Sequence, residues 1–390
     1  MSQLLIRPQR YRCTGPCPDT DRRRDPSRPG WCSTRPPPPK DSWAAVRVAG
    51  LPLLIDPLTY YLQDHQAPGT AWSRLPYAQL AALRPTDFTD RFIDQLIDDT
   101  VQFQLDHGST MIIPPYVHVE RADSGWTDVQ VTLFHRAAVR LAETRVPILG
   151  AVAISWRLAA HHTWDDVLEP VLAAAAALPV SELALAVSKA DQGTHPDRRL
   201  ADLAHTVQRV AQIAPVIAWQ QSAYGETHVL AGARAYETGI GWRQRCDLQT
   251  TMRNQRNQPT PGPRPTPVYI APLRRSVLKR SLEILAERRA LPADFLCMSP
   301  GCCPPGVDGL LGSHRREHAV RSRVRQLKAL DAIGGQPWRW LATANEAARG
   351  ASLIQRVNRL GLLHPIESAA LQAVHTHALV SSRSVRRRAA

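Results

Sequence analysis

From residue 49 onward, short apolar runs alternate with longer amphipathic stretches, and this alternation constrains the fold more than any other feature of the chain. A short apolar run reads as a strand buried on both faces. A longer stretch with apolar residues at three-to-four spacing reads as a helix laid over it. The runs fall at 51–58, 110–119, 146–156, 182–189, 215–222, 234–241, 266–273 and 293–300, and include "VPILGAVAISW" and "ELALAVSK". Between them lie stretches such as "FTDRFIDQLIDDTVQFQLDHG" and "RRLADLAHTVQRVAQIA". Strands alternating with helices predict an α/β fold with a parallel sheet. Eight such units over 49–335 predict a (β/α)8 TIM-type barrel, with an open doubly wound sheet as the alternative.

The flanks read differently. Residues 1–48 are rich in Arg, Pro, Asp and Ser, lack periodicity and are expected to form a disordered tail. Residues 336–380 are expected to form a small helical appendage, and 381–390, with "RSVRRR", a basic tail. No segment reaches membrane-spanning length and no signal-peptide pattern opens the chain. The expectation is therefore a cytoplasmic protein without a membrane partner, its seven cysteines reduced. The 48 Lys and Arg against 34 Asp and Glu leave a formal charge of +14, a surplus that suits a polyanionic partner, most simply nucleic acid.

In such barrels the chemistry gathers at the C-terminal ends of the strands. Asp56 and Glu237 are acids at strand ends, and two carboxylates facing one mouth can act as nucleophile and general acid or base. Either can instead cap the helix that follows, and Pro57 after Asp56 favours that reading there. Tyr116, Trp156 and Gln220 sit at other strand ends as candidate substrate contacts, with Gly239 and Gly241 of "TGIG" as a weak phosphate-binding signal. Arg274 and Arg275 follow the seventh run. The long basic segment after the sixth carries Arg253 and Arg256, suited to phosphates.

The window "DFLCMSPGCCPPGVDGLLGSHRREH" places Cys297, Cys302 and Cys303 close to His314 and His318. Thiolates and an imidazole at short spacing are what a tetrahedral zinc site requires, and either histidine can complete the set. The alternative is a nest of buried thiols.

Together these pieces resemble the tRNA-guanine transglycosylase family and its DNA-modifying relatives. "GARAYE" puts Glu237 in the register of that family's nucleophile, while "CDLQTTMRNQRN" matches the residues downstream of it if Asp247 is the nucleophile. "LLIDPLTYY" offers Asp56 for the family's early aspartate, with Pro57 and Leu58 where the family has glycines. The resemblance implies a (β/α)8 barrel with structural zinc held by three cysteines and a histidine. It also implies exchange of a guanine-type base in tRNA or DNA for a deazaguanine-type base, through a covalent carboxylate intermediate. Two other readings stand beside it: a barrel enzyme acting on a small anionic or phosphorylated substrate, and an inactive barrel that binds nucleic acid.

Overall fold

In the computed structural model, residues 3–7, 30–33 and 52–389 are described, apart from 71, 161–163, 193–194, 222, 240–243, 257–265, 300 and 363. The sheet strands are β1 (Gln3–Arg7), β2 (Gly30–Ser33), β3 (Leu53–Ile55), β4 (His118–Val119), β5 (Leu149–Ser155), β6 (Glu182–Ser188), β7 (Val216–Ala218) and β8 (Ala235–Gly239). They hydrogen-bond in the order β3-β2-β1-β8-β7-β6-β5-β4, every pair parallel. Every residue of β5 and β6 is buried, which is why both read as unbroken apolar runs rather than alternating ones. The protein is thus an α/β fold built on a parallel sheet.

Helices cover the sheet. The first, α1 (Asp90–Asp106), starts where the Thr89 side chain accepts the Phe92 N–H, and buries Ile93, Leu96, Ile97, Thr100 and Gln104 on one face. It is followed by α2 (Trp126–Arg140), α3 (Glu169–Ala177), α4 (Pro196–Val210) and α5 (Gly225–Ala231). Beyond β8 come α6 (Leu248–Arg256), an antiparallel hairpin of β9 (Pro267–Ile270) and β10 (Arg275–Leu278), and α7 (Lys279–Glu287). Then follow α8 (Gly306–Leu311), α9 (Arg315–Asp331), α10 (Gln336–Asn358) and α11 (Ala369–Ala389). Among the described residues no helix is long and apolar enough to cross a membrane.

The segment 110–119 behaves as a strand broken in the middle. Met111 bridges Leu54 and Ile112 bridges Ile148, both in parallel, before the pairing of β4 with β5 resumes at His118. Pro114 and Pro115 lie between and have no N–H for a ladder. Side chains supply the missing partners. Gln104 bonds both ways to Ile113 (2.8 Å each), Thr59 Oγ1 both ways to Tyr116 (2.7 Å each), and Gln63 both ways to His118 (2.7 and 2.9 Å). Gln130 accepts the Val117 N–H.

The sequence expectations need four corrections. Of the run 266–273, Pro267–Ile270 is a strand, but after a 3-10 turn at Ala271–Leu273 the chain turns back at Arg274 (φ +52°) into β10 and stays out of the parallel sheet. The run 293–300 is no strand: after Pro292 the chain forms a short 3-10 turn at Ala293–Phe295. The sheet takes two strands from the N-terminal segment instead, β1 and β2; the rest of 1–51 lies outside the described residues. Finally, the basic stretch 381–390 continues α11 as far as Ala389, and the basic segment after β8 contains α6.

Helices α10 and α11 pack on each other, and α11 packs on α4. Gly350 lets α10 approach the hairpin: a Cβ there would meet the Pro272 carbonyl oxygen at 2.4 Å and Leu371 Cδ1 at 2.9 Å. Backbone cannot yield as a side-chain tip can, so Gly350→Ala should lower the urea unfolding midpoint, by about 1–3 kcal/mol of stability.

Candidate active site and metal centre

The C-terminal ends of the strands bring together more chemistry than the sequence suggested. Strand β4 opens into Glu120, and His118 and Glu120, two apart, share one side of the strand. His118 Nε2 lies 3.6 Å from Glu120 Oε2. Lys189, just past β6, has a left-handed backbone (φ +63°), and its N–H donates to the Cys246 carbonyl at 2.7 Å. Ser188 Oγ accepts the Leu248 N–H at 3.1 Å, and Lys189 Nζ donates to Gln249 Oε1 at 2.5 Å. These bonds stitch the start of α6 onto the end of β6 and carry Asp247 into the mouth.

The four groups feel one another. Burial first, then the Lys189 charge, pushes His118 down to about 4, with Asp247 opposing. Burial raises the Glu120 carboxyl above the usual range, against Lys189 and Arg157 and with help from the Asp247 charge. The His118 imidazole is therefore neutral at pH 7, and Glu120 is poised to carry a proton. Asp247 is half-buried; one oxygen caps α6 by accepting the Thr250 N–H at 3.0 Å.

The two carboxylates singled out first are held by the fold. Asp56 Oδ1 accepts the Leu58 N–H and the Tyr116 hydroxyl, each at 2.9 Å, which fixes the left-handed Leu58 and the start of the next turn. Burial and the Asp56 charge together push the Tyr77 hydroxyl well above its ordinary value. Glu237 is 1 % exposed, and its Oε2 accepts the N–H of Gln220, another left-handed residue (φ +58°). Both acids accept a backbone N–H at a strand end; Asp56 holds the Leu58 N–H but does not cap the 3-10 turn that follows.

The remaining candidates scatter. Tyr116 is buried against Asp56. Trp156 is half-buried at the mouth, with the Arg199 guanidinium 3.5 Å from its ring centroid. Gly239 is buried at the end of β8, and Gly241 lies outside the described residues. Arg253 is exposed on α6, while Arg256 pairs with Asp64 at 2.6 Å. Arg274 and Arg275 do not end a sheet strand. Arg274 is paired with Glu226 at 3.0 Å beneath α10, and Arg275 reaches the Glu367 carbonyl at 2.6 Å.

Sequence reading missed His118 and Glu120, whereas Lys189 could be read as a polar residue at the end of its strand. The signal for the first two was present in "YVHVE", where residues 116, 118 and 120 alternate as a strand face does.

The cysteine window forms a compact set. One donor atom each from Cys297, Cys302, Cys303 and His318 lies within 4.8 Å of every other. Cys302 Sγ is 3.6 Å and Cys303 Sγ 3.8 Å from His318 Nδ1. A tetrahedral centre with Zn–S of about 2.3 Å and Zn–N of about 2.0 Å would separate S and N by about 3.6 Å. The turn that folds the thiols together has Gly301 in the left-handed region (φ +69°) and closes with Cys302 N–H to the Ser299 carbonyl at 3.3 Å. A backbone hydrogen bond to Tyr269 of β9 orients the imidazole of His318. His314 is not part of the set: it is exposed at the start of α9, with Nδ1 3.7 Å from Glu317. The cluster follows α7 and a 3-10 turn, not an eighth sheet strand.

Burial and the neighbouring sulfurs push Cys303 up to about 12 and raise Cys302. For Cys297 burial is outweighed by the Ser299 N–H and the other two thiols, so it is lowered. One thiolate is favoured and three are not, unless a cation replaces the protons; the set can hold a metal ion.

A second histidine outside both sites makes a prediction of its own. His228 on α5 is fully buried, neither ring nitrogen has a hydrogen-bond partner among the described residues, and burial, with His377 nearby, pushes it down to about 3. A folded-state value below the unfolded one, about 6.5, means the unfolded chain binds the proton more readily. The stability this group contributes is complete above pH 6.5 and falls as pH drops towards 3, by about 1.4 kcal/mol per unit. Urea titrations at pH 7, 5.5 and 4.5 should show His228→Leu losing less stability with acid than the parent.

No family model matches the chain, and no curated protein matches it. Among solved structures, nitroalkane oxidase from Streptomyces ansochromogenes is 16 % identical over 92 % of this chain and 82 % of its own, at a TM-score of 0.21. Dihydrodipicolinate synthase from Oceanobacillus iheyensis is 10 % identical over 88 % of this chain and 91 % of its own, also at a TM-score of 0.21. Superpositions that poor carry no argument about fold or chemistry.

Proposed function

We propose that the protein is a (β/α)8 barrel enzyme that exchanges a guanine-type base in tRNA or DNA through a covalent carboxylate intermediate. The bridges from Leu54 to Met111 and from Ile112 to Ile148 support closure, because they join β3, one end of the ladder, to β5 through the broken segment that continues into β4, the other end. The observation that carries the chemistry is Asp247: an accessible carboxylate beside Lys189, neutral His118 and Glu120 at the C-terminal ends of parallel strands. In this reading Asp247 attacks C1′ of the nucleoside and expels the base. Glu120, protonated more readily than an ordinary carboxyl, gives its proton to the departing base. It takes a proton back from the incoming deazaguanine-type base, which reopens the bond from the same face. Trp156, backed by Arg199, offers a stacking surface for a base taken out of its stack.

Zinc at Cys297, Cys302, Cys303 and His318 would be structural, since four protein donors leave no open position. The likeness of this donor set to the three cysteines and one histidine of the transglycosylase family, together with the charge of +14, favours the nucleic-acid substrate over the small-molecule alternative. The test is to incubate the protein with guanine-containing RNA and DNA oligonucleotides and labelled guanine. Label should enter the polymer, and a protein–nucleic acid adduct should survive denaturing electrophoresis. Exchange that persists in Asp247→Asn would remove Asp247 as nucleophile.

A further inference from the structure

A cavity of about 150 Å³ lies between the β9–β10 hairpin and the start of α11, lined by Asp191, Gln244, Arg245, Arg275 and Glu367 among others. That is about ten times the volume one water needs. Its walls are fixed by backbone and amide bonds. Gln244 pairs both ways with Ser276, Nε2 to Oγ at 2.6 Å and Oε1 from the backbone N–H at 2.9 Å. The pairing sets Arg245, in the turn before α6, beside Arg275 at the start of β10. Arg245 is anchored from behind by Asp191, Nε to Oδ2 at 3.1 Å, and Asp191 is itself buried.

The open side of the two guanidinium groups holds a single carboxylate. Glu367, in the loop before α11, touches Arg245 Nη2 at 2.5 Å and lies 3.8 Å from Arg275 Nη2. It is 65 % exposed, so it is bound as surface ion pairs are, weakly and exchangeably. Burial and the adjacent Arg245 charge lower Arg275, while for Arg245 itself burial is outweighed by Asp191 and Glu367, so it is raised. Two guanidinium forks facing one cavity can take the oxygens of a phosphate as well as those of a carboxylate.

We propose that Arg245 and Arg275 form a phosphate subsite, kept closed by the side chain of Glu367, which a phosphate of the substrate displaces. The subsite begins two residues before Asp247, which puts an anion next to the mouth. Only the origin of the phosphate in a polynucleotide rests on the function proposed above.

The experiment is equilibrium binding, which needs no turnover and so does not depend on Asp247. Inorganic phosphate is titrated calorimetrically into wild type, Glu367→Gln and Arg275→Gln, each checked for an unchanged melting temperature. Removing the competing charge should tighten phosphate binding about tenfold in Glu367→Gln, and Arg275→Gln should abolish it. Equal or weaker binding in Glu367→Gln overturns the proposal, whether or not Arg275→Gln folds. A short single-stranded oligonucleotide that competes with phosphate assigns the subsite to a polynucleotide backbone; failure to compete assigns it to a free phosphate or nucleotide.

Discussion

Cys302→Ser is expected to strip the protein of stoichiometric metal and to lower its stability by about 3–5 kcal/mol, the range seen when a mutation breaks a built-in crosslink. The cluster ties the turn at 297–303 to the first turns of α9 through His318, and from there to β9 through Tyr269. Without a cation, three crowded thiols keep their protons and the turn loses what holds its sulfurs together. Metal analysis of the purified protein followed by thermal melts with and without a chelator checks this directly. Two controls separate a metal centre from a nest of thiols. Cys246→Ser, at a buried cysteine remote from the cluster, should keep the metal, and His314→Ala should change neither metal content nor melting. Metal-free protein that melts like its Cys302→Ser variant would leave only the buried-thiol reading.

The second large effect is expected at Asp247. Asp247→Asn keeps the shape and much of the cap on α6 but removes the proposed nucleophile, so the proposed exchange should fall by about 10³-fold or more with little change in melting. Glu120→Gln should reduce the rate by about 10²–10⁴-fold and flatten its pH profile, because its raised carboxyl supplies the proton. Glu237→Gln is expected to behave in the opposite way. Its carboxylate accepts the N–H of left-handed Gln220 in a buried corner, so the cost should appear in stability, about 1–3 kcal/mol. A rate collapse in Glu237→Gln with intact stability would return the nucleophile to Glu237. Circular dichroism melts beside single-turnover rates distinguish the two.

Six strand segments of the sheet could be read from the sequence because their signal is local: β5 and β6 are buried from end to end around unbroken apolar stretches. The errors arose where partner choice is distant. "QLLIR" and "GWCS" are too short and too polar at their edges to stand out, and they become strands by pairing with β8 and β3 far along the chain. The seventh run has a real strand pattern, yet a left-handed Arg274 reverses it within the hairpin. At the site, acids at strand ends could be counted in advance, but not whether each faces substrate or backbone. Asp56 and Glu237 each accept a backbone N–H, and the start of α6, which carries Asp247, is held by Ser188 and Lys189. The metal set was legible apart from its histidine. His318, one turn into α9, turns inward, while His314 at the helix start faces solvent.

The broken strand between β3 and β5 has a bearing on how the molecule tolerates change. Between Ile113 and His118 its polar backbone groups are satisfied by Gln63, Gln104, Gln130 and Thr59 where the neighbouring ladder lapses. Each of these side chains does a job that any residue can do in an ordinary strand, and that few can do here. A saturation-mutagenesis map should therefore show four polar positions as intolerant as the aliphatic core. Drift at any one of them would loosen His118 and Glu120 before it unfolded the sheet, so loss of activity should precede loss of expression.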